Sequence, residues 1–145
     1  METLLISACL MGANCKYNGG NNALPDEALA ALRRRYRLIP VCPEVAGGLP
    51  TPRVPSERRG SRVITRDGRD VTEAFQRGAE TAGKLAARCG ARLALLKSNS
   101  PSCGSGTIYD GSFSGRLIAG DGVTAAYLKG KKLIIFGNYS SLLTI

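Results

Sequence analysis

The stretch "DVTEAFQRGAETAGKLAARCGARLALLKS", residues 70–98, decides the fold class, because it joins a long amphipathic helix to a short apolar strand. Its apolar side chains recur at helical spacing as far as the stop signal Gly90. Asp70 and Glu73 stand at the positions of a capping box, which predicts where the helix begins. The apolar run at 92–98 has the length of a buried strand. The stretch therefore predicts one helix and strand unit of an α/β protein.

The same alternation of helix and strand extends along the rest of the chain. Strand-like apolar runs lie at 3–8, 37–41 and 132–137, and helix-like segments lie at 24–36 and 121–130. Strands that alternate with helices predict a mostly parallel sheet covered by helices on both faces. We therefore expect a three-layer α/β fold of the Rossmann-like or flavodoxin-like type.

Length and composition are typical of one globular domain. The chain has 145 residues, of which 43% are hydrophobic and 21% charged, so we expect a single domain over residues 1–145. No apolar run approaches the ~20 residues of a membrane helix, and the N-terminus lacks the basic flank and cleavage site of a signal peptide. Five cysteines are an odd number, and a chain of this size does not need disulfides. These features predict a cytoplasmic protein with free or metal-bound thiols and no membrane partner.

The chain is basic, with a net charge of +9 from 20 Lys and Arg against 11 Asp and Glu. Such a surface can attract nucleic acid or anionic small molecules. The basic residues are spread along the sequence, however, with small clusters at 33–35 and 58–59. The three Phe and five Tyr form no array on which bases could stack. We therefore expect no dedicated nucleic-acid surface.

The cysteines follow the ends of the predicted strands. Cys9 ends the first strand, Cys42 ends the second, and Cys103 follows the third in "SNSPSCGSG". Ligands of open α/β sheets bind at the carboxyl ends of the strands. We therefore expect these three thiols and Cys15 to converge on one site, whereas Cys89 lies at a helix end and does not join them.

The absence of histidine limits the chemistry available to these thiols. It excludes Cys-His nucleophile pairs, Ser-His-Asp triads and zinc sites with imidazole ligands. An all-thiolate zinc site, an iron–sulfur cluster and a dithiol redox pair remain. The C-x5-C spacing from Cys9 to Cys15 matches none of the zinc-ribbon, ferredoxin and thioredoxin-like patterns. Spacing alone therefore leaves all three chemistries open.

Polar residues beside the cysteines favour a reactive site over a structural one. Glu44 lies two residues after Cys42, in a Pro/Gly-rich segment at 43–60 that is too long for a simple connector. Three serines lead into the last of the converging cysteines: Ser98, Ser100 and Ser102. A purely structural metal site has no need of a carboxylate and hydroxyls at its rim.

Five motifs, taken in order, resemble those of a bacterial domain-of-unknown-function family that includes the thiouracil desulfidases. They are "SACLMGANCKYNG", "PVCPEVAGGLPTPR", "GRDVTEAFQRGA", "LKSNSPSCGSGTIYDGSFSG" and "GDGVTAAYL". The similarity covers essentially the whole chain. It implies a [4Fe-4S] cluster held by three cysteines, with one iron open to the sulfur of the substrate. It also implies an enzyme that converts thiouracil to uracil and releases sulfide without net redox change.

The motif match carries the family's site residues onto this chain. It implies that Glu44 is the catalytic carboxylate and that Ser100 is a catalytic or substrate-orienting hydroxyl. Three of four cysteines are implied as cluster ligands: Cys9, Cys15, Cys42 and Cys103. In the loop of the fourth motif, "LKSNSPSCGSGTIYDGSFSG", we expect further substrate-binding groups at Ser98, Ser102 and Gly104. The chain departs from the pattern of that family at two positions, since Arg is more usual than Asn at position 99 and Asp is more usual than Asn at position 18. These departures, Asn99 and Asn18, bear on the choice of substrate.

The leading hypothesis is a cluster-dependent, non-redox desulfidase. Its substrate is a thiolated pyrimidine of the 2-thiouracil or 4-thiouracil type, or the corresponding nucleoside or nucleotide. In this hypothesis water attacks the carbon, Glu44 takes the proton, and a soft open iron accepts the sulfur. The alternative from another class is a non-catalytic zinc- or cluster-binding module whose basic surface contacts RNA. The sequence is compatible with a monomer or a homodimer.

Overall fold

The computed structural model describes residues 1–144 of the chain. Its strands and helices are, in chain order, β1 (Glu2–Ser7), α1 (Asp26–Arg35), β2 (Tyr36–Val41), α2 (Pro43–Ala46), β3 (Ser56–Arg59), β4 (Arg62–Thr65), α3 (Thr72–Cys89), β5 (Leu93–Leu95), β6 (Thr107–Tyr109), β7 (Leu117–Ala119), α4 (Val123–Gly130), β8 (Ile134–Phe136) and α5 (Tyr139–Leu143). A 3-10 turn at Ala8–Met11 follows β1 directly. Over residues 1–144, no helix has the length and apolar character needed to cross a membrane.

Within the described residues, four strands form one parallel sheet in the order β2-β1-β5-β8. All residues of β1 after Glu2 are buried, as expected for a central strand of a parallel sheet covered on both faces. Leu4 of β1 lies opposite Leu38 of β2 and Leu93 of β5. The topology confirms the predicted parallel sheet and puts the carboxyl ends of its strands at one edge.

Helices cover both faces of this sheet and bury an apolar cluster on each. On one face, α3 and α4 pack against the sheet through residues that include Leu5, Ala82, Ala86, Ala94 and Leu128. On the other face, α1 and α5 pack against it through residues that include Leu4, Ile6, Leu32, Leu95 and Leu142. Neighbouring residues of β1 thus point to opposite faces, which is the two-residue period of a strand. The three-layer α/β architecture is as predicted.

The short helix α2 lies against α3 with the two backbones in direct contact. A Cβ added at Gly47, directly after α2, would lie 1.9 Å from the carbonyl oxygen of Ala74. A Cβ added at Gly78 of α3 would lie 1.9 Å from the carbonyl oxygen of Pro43. Glycine is needed at both positions, although glycine in a helix interior costs roughly 1 kcal/mol relative to alanine. This contact fixes α2 beside the edge of the sheet at which β2 ends.

In the described chain, α2 and the two antiparallel hairpins, β3–β4 and β6–β7, are structure that the sequence analysis does not predict. The segment 43–60, expected as one long loop, contains α2 and β3. Strands of three or four residues, such as "SERR" at Ser56–Arg59, are too short for an alternating pattern to stand out. The hairpins depend on contacts with the rest of the chain rather than on local periodicity.

The start of α3 differs from the predicted capping box. The helix begins at Thr72, and the residue at its N-cap position is Val71, which makes no side-chain capping hydrogen bond. Asp70, one residue earlier, accepts the N–H of Thr72 at 2.9 Å. Glu73 does not reach back, since its side chain is 91% exposed and lies 4.0 Å from Arg77. The N–H of Val71 donates to the carbonyl oxygen of Val63 at 2.9 Å. The predicted capping box is therefore wrong, although Asp70 does accept the first N–H of the helix.

Candidate active site

A cavity of about 480 Å³ opens at the carboxyl ends of β1, β2 and β5. Small-molecule sites commonly have volumes of roughly 300–1,000 Å³. The residues that line it include Cys9, Cys15, Cys42 and Cys103. Cys89 lies apart from them, at the C-terminal end of α3, where its thiol donates to the carbonyl oxygen of Ala86 at 3.6 Å. The structure thus brings the four loop thiols together and leaves Cys89 outside, as the sequence predicts.

Cys9 and Cys15 stand on the loop that leaves β1. Cys9 lies in the 3-10 turn, which Gly12 ends with a φ of +94°, a conformation that glycine adopts without strain. The N–H of Asn22 then donates to the carbonyl oxygen of Cys9 at 3.0 Å. The chain therefore turns back on itself, and both thiols stay beside the end of β1.

Cys42 and Glu44 are positioned by the start of α2. Cys42 is the last residue before the helix, and Pro43 is its first residue, a position that proline favours. The thiol of Cys42 donates to the carbonyl oxygen of Cys15 at 3.8 Å. This contact joins the loop after β2 to the loop after β1.

The loop that carries Cys103 is anchored on the N-terminus of α4. The hydroxyl oxygen of Ser100 accepts the N–H groups of Ser102 and Cys103 at 3.0 and 2.9 Å. At the start of α4, the N–H of Thr124 donates to the carbonyl oxygen of Ser102 at 2.8 Å. The first N–H groups of a helix have no partner within the helix, and here the cysteine loop accepts three of them, those of Val123, Thr124 and Ala125.

Burial is the largest influence on the pKa of three cavity thiols: Cys9, Cys15 and Cys103. Burial and the neighbouring Cys42 raise the pKa of Cys15 to about 12. Burial also raises the pKa of Cys103 to about 12, although a hydrogen bond with Ser7 acts in the opposite direction. The pKa of Cys9 is raised as well, again mainly by burial. Thiols in such surroundings are neutral at pH 7 and lose their protons when they bind a metal.

Glu44 is paired with a buried arginine. Nε of Arg53 lies 3.3 Å from Oε1 of Glu44, and the Arg53 and Glu44 side chains are 7% and 20% exposed. Another N–H of the same guanidinium group donates to the carbonyl oxygen of Cys15 at 2.9 Å. Burial raises the pKa of the Glu44 carboxyl, and the charge and hydrogen bond of Arg53 oppose this shift. Arg53 therefore ties the carboxylate to the loop of the first two thiols.

The remaining predicted residues divide between the cavity wall and the structure behind it. Ser98 and Ser100 line the cavity. Ser102 is fully buried, and its hydroxyl oxygen lies 2.8 Å from that of Thr124. Gly104 is packed so closely that an added Cβ would lie 2.8 Å from the carbonyl oxygen of Ser100. Ser102 and Gly104 do not line the cavity, because their part of the loop packs against α4.

Several cavity residues have no role in the sequence analysis. The hydroxyl of Ser7, buried at the end of β1, accepts the N–H of Lys97 at 2.9 Å. Arg53 comes from the loop after α2, and Tyr109 and Phe113 come from the β6–β7 hairpin. Arg53 and Phe113 stand in two of the quoted motifs, "PVCPEVAGGLPTPR" and "LKSNSPSCGSGTIYDGSFSG". Their position in those motifs is the sequence feature that could have identified them as site residues.

The donor set of the cavity suits a soft metal group. Thiolates favour iron–sulfur clusters and zinc over hard cations, and the chain has no histidine. Over residues 1–144, no group of three Cys, Asp or Glu side chains is arranged to hold a single metal ion. The donor set therefore suits an all-thiolate zinc site or an iron–sulfur cluster rather than a hard cation.

Comparisons with known proteins agree with this site. A family model described as 2-thiouracil desulfurase matches residues 4–138. The uncharacterized protein YbbK of Bacillus subtilis (strain 168) is 43% identical over 136 residues, which cover 87% of this chain and 89% of YbbK. Among solved structures, the [4Fe-4S]-dependent thiouracil desulfidase TudS is 48% identical, with a TM-score of 0.89 over 94% of this chain and 90% of that one. The chain therefore belongs to the 2-thiouracil desulfurase family.

Proposed function

We propose that the chain is a [4Fe-4S]-dependent desulfidase that hydrolyses the carbon–sulfur bond of a thiolated pyrimidine. The substrate is of the 2-thiouracil or 4-thiouracil type, or the corresponding nucleoside or nucleotide, and the products are the uracil compound and sulfide. One observation carries the proposal: four thiols, a buried carboxylate and a hydroxyl line a single cavity. The similar structure named a [4Fe-4S]-dependent thiouracil desulfidase supports the cofactor and the reaction.

In this proposal, three of the four cavity cysteines hold the cluster: Cys9, Cys15, Cys42 and Cys103 are the candidates. When bound, the cluster supplies a soft, Lewis-acidic iron for the departing sulfur. The thiols come from the loops after β1, β2 and β5, and each loop is tied to the body of the fold. Ligands on so rigid a frame lose little entropy when they bind.

Glu44 is the general base of the proposed reaction. It accepts a proton from the water that attacks the thiocarbonyl carbon, the new carbon–oxygen bond replaces the carbon–sulfur bond, and sulfur leaves as sulfide. No electrons are gained or lost overall. A general base works best with a pKa near the operating pH, and burial raises the pKa of Glu44 toward that range. The 3.3 Å contact with Arg53 fixes the orientation of the Glu44 carboxylate.

Ser100 orients the substrate in this proposal. Its oxygen already accepts two backbone N–H groups, so its own hydroxyl hydrogen is available as a donor to an acceptor in the cavity. A donor of this kind stabilises negative charge that develops on the substrate. Ser98 lines the same wall and offers a second hydroxyl. All of these groups come from one chain, so a monomer contains a complete site.

Anaerobic reconstitution tests the cofactor. We expect about four irons and four sulfides per chain, the content of a [4Fe-4S] cluster, together with turnover of at least one of 2-thiouracil, 4-thiouracil and their nucleosides and nucleotides. One zinc per chain without labile sulfide would contradict the proposal and support a zinc-binding module.

Single Cys→Ser variants test the assignment of the thiols. Three of the four cavity variants, Cys103→Ser among them, should lose the cluster. Cys89→Ser is the matched control, since its thiol lies at the end of α3, and it should retain wild-type iron content. Equal loss of iron in Cys89→Ser and Cys103→Ser would show that the thiols are wrongly divided.

A further inference from the structure

We infer that Phe113 recognises the substrate by stacking on the pyrimidine ring, and that Glu57 is the positioning residue that holds Phe113 in place. This inference rests on the proposed function, because it assumes that a pyrimidine enters the cavity. Phe113 is half-buried and lines the cavity wall. Its role concerns the ring of the substrate, whereas the thiols, Glu44 and Ser100 concern the carbon–sulfur bond.

The backbone of Phe113 has a left-handed conformation, with a φ of +58°. Such a conformation is unfavourable for a residue with a bulky side chain. Of the aromatic residues that line the cavity within residues 1–144, namely Tyr17, Tyr109 and Phe113, only Phe113 has a positive φ. Strained residues persist where the surrounding structure holds them, and they are concentrated at ligand sites.

One carboxylate oxygen holds the loop that carries Phe113. Oε1 of Glu57 accepts the N–H of Gly111 at 2.9 Å and the N–H of Phe113 at 3.1 Å. Nε of Arg59 donates to the carbonyl oxygen of Gly111 at 2.7 Å. Glu57 and Arg59 both belong to β3, so the turn of the β6–β7 hairpin is fastened by the other hairpin. These bonds offset the strain of the left-handed backbone.

The ring of Phe113 is held as well as its backbone. The guanidinium group of Arg66 lies 5.6 Å from the centre of the ring, within the range of a cation–π contact. Arg66 also lines the cavity, and its backbone N–H donates to the carbonyl oxygen of Pro55 at 2.9 Å. The aromatic wall is therefore in place before a ligand arrives, which lowers the entropy cost of binding.

A fixed aromatic ring suits a planar heterocycle. Pyrimidines stack on aromatic side chains through their π-faces, and this contact is tolerant of the groups around the ring. Phe113 is therefore expected to bind the thiolated substrate and the oxygenated product alike. A contact that is equally strong before and during the reaction changes KM rather than kcat.

A tryptophan reporter tests the inference without using turnover. The chain contains no Trp, so Phe113→Trp creates a single fluorophore whose emission changes when a base stacks on it. The cluster-loaded variant is titrated with uracil, uridine and uridine 5′-monophosphate. Tyr17→Trp and Tyr109→Trp report on the other aromatic positions of the cavity, and Phe136→Trp, which packs in the core cluster of α1 and α5, is the control outside the cavity.

We expect a saturable change in emission at position 113 with at least one of the three products, larger than at positions 17 and 109, and none at position 136. No saturable change at position 113 with any product would overturn the inference. A larger change at position 17 or 109 than at position 113 would also overturn it.

Substitutions without a fluorophore give a second test. Phe113→Leu removes the ring and should weaken binding of the product by about 5- to 150-fold, the effect of losing one stacked base, with a matching rise in KM and kcat within about twofold. Phe113→Tyr keeps the ring and should stay near wild type. A fall in kcat at unchanged KM in Phe113→Leu would overturn the stacking role.

The positioning role of Glu57 has its own readout. Glu57→Ala in the Phe113→Trp protein should lower the steady-state anisotropy of the tryptophan and reduce its response to product, whereas Glu57→Gln, which keeps the acceptor oxygen, should largely restore both. Anisotropy unchanged in Glu57→Ala would overturn that role. Wild-type protein that binds product but turns over no thiolated pyrimidine would instead count against the proposed function, so the two failures are distinguishable.

Discussion

Glu44 and Arg53 form a buried ion pair in the wall of the cavity. The carboxylate is largely buried, it touches one guanidinium group, and its pKa is raised by that burial. The same guanidinium group binds the carbonyl oxygen of Cys15. The Glu44 carboxylate and the loop of two candidate metal ligands are thus held by a single side chain. In the proposed mechanism, Arg53 therefore sets the position of the base relative to the thiols.

Glu44→Gln separates catalysis from structure at this position. The amide keeps the shape of the side chain and can still meet Arg53, but it cannot accept the proton of the attacking water. We expect turnover of thiolated pyrimidine to fall by ~10²- to 10⁴-fold, the usual contribution of a general base. Iron content and the visible absorption of the cluster should stay at wild-type values. A rate near that of the wild type, measured at equal cluster content, would mean that Glu44 only braces the turn after Cys42.

At the scale of elements, the contact between α2 and α3 makes the position of the candidate site residues on α2 depend on the packing of α3. Gly78 in the middle of α3 allows the backbone of α2 to lie against it. Cys42 and Glu44 stand at the start of α2. A shift of α2 away from α3 would therefore move the Cys42 thiol and the Glu44 carboxylate together.

Gly78→Ala tests this contact. In an open helix the change would stabilise the protein, but here the new Cβ meets the carbonyl oxygen of Pro43 at 1.9 Å. We expect a loss of about 1–3 kcal/mol in the free energy of unfolding, as for other overpacked sites, together with lower turnover per cluster. Gly130→Ala, at the end of α4 with no heavy atom within 4 Å of the added Cβ, is the control and should leave turnover unchanged and stability unchanged or slightly higher. Denaturant unfolding and activity of the two variants at equal iron content give the comparison.

Asp121 links the β6–β7 hairpin to α4. Its Oδ1 accepts the N–H of Gly106 at 2.7 Å and lies 2.9 Å from Nζ of Lys129. Partial burial acts to raise the pKa of Asp121, but these bonds, with the charges of Lys129 and Arg58, outweigh it and leave the pKa lowered.

The lowered pKa of Asp121 has a consequence for stability against pH. A carboxyl with a folded-state pKa below the unfolded value of ~3.9 stabilises the fold above that value, and the contribution is lost as the pH falls through the folded-state pKa. We therefore expect Asp121→Asn to be less stable than the wild type at pH 7 and the difference to shrink below about pH 4. Urea unfolding of both proteins between pH 3 and pH 7 measures it. A difference that stays constant over this range would show that the charge of Asp121 contributes nothing.

At the scale of the whole molecule, the layered fold is predictable because its signals are local and regular. Leu4, Leu5 and Ile6 are buried in alternation on two faces, and the apolar face of α3 repeats at helical spacing. The hairpins are not predictable in this way, because strands of three or four residues carry no clear period. Their stability comes from contacts such as those of Glu57 with the Phe113 loop, which join distant parts of the chain.

The candidate site is predictable to the same extent. Cys9 and Cys42 follow strand ends, so the parallel topology alone brings them to one edge of the sheet. Arg53 is held at the cavity by a hydrogen bond to the carbonyl oxygen of Cys15, which is distant in sequence. Ser7 lies at the cavity because it is buried at the end of β1. No sequence spacing predicts the position of either residue. Ser102 shows the converse, since its place in a serine-rich loop suggests a cavity residue while the anchoring on α4 buries it.

The central claim is that this chain hydrolyses a carbon–sulfur bond at a cluster without net redox change. The most direct measurement incubates the anaerobically reconstituted protein with 4-thiouracil in ¹⁸O-labelled water, with no reductant or oxidant added, and quantifies uracil and sulfide. Equal amounts of uracil and sulfide are expected, with the new oxygen of uracil taken from the labelled water. Absence of desulfurated product from protein with a full cluster when 4-thiouracil, 2-thiouracil and their nucleosides and nucleotides are all supplied in turn, or product that forms only when a reductant is supplied, would contradict the claim.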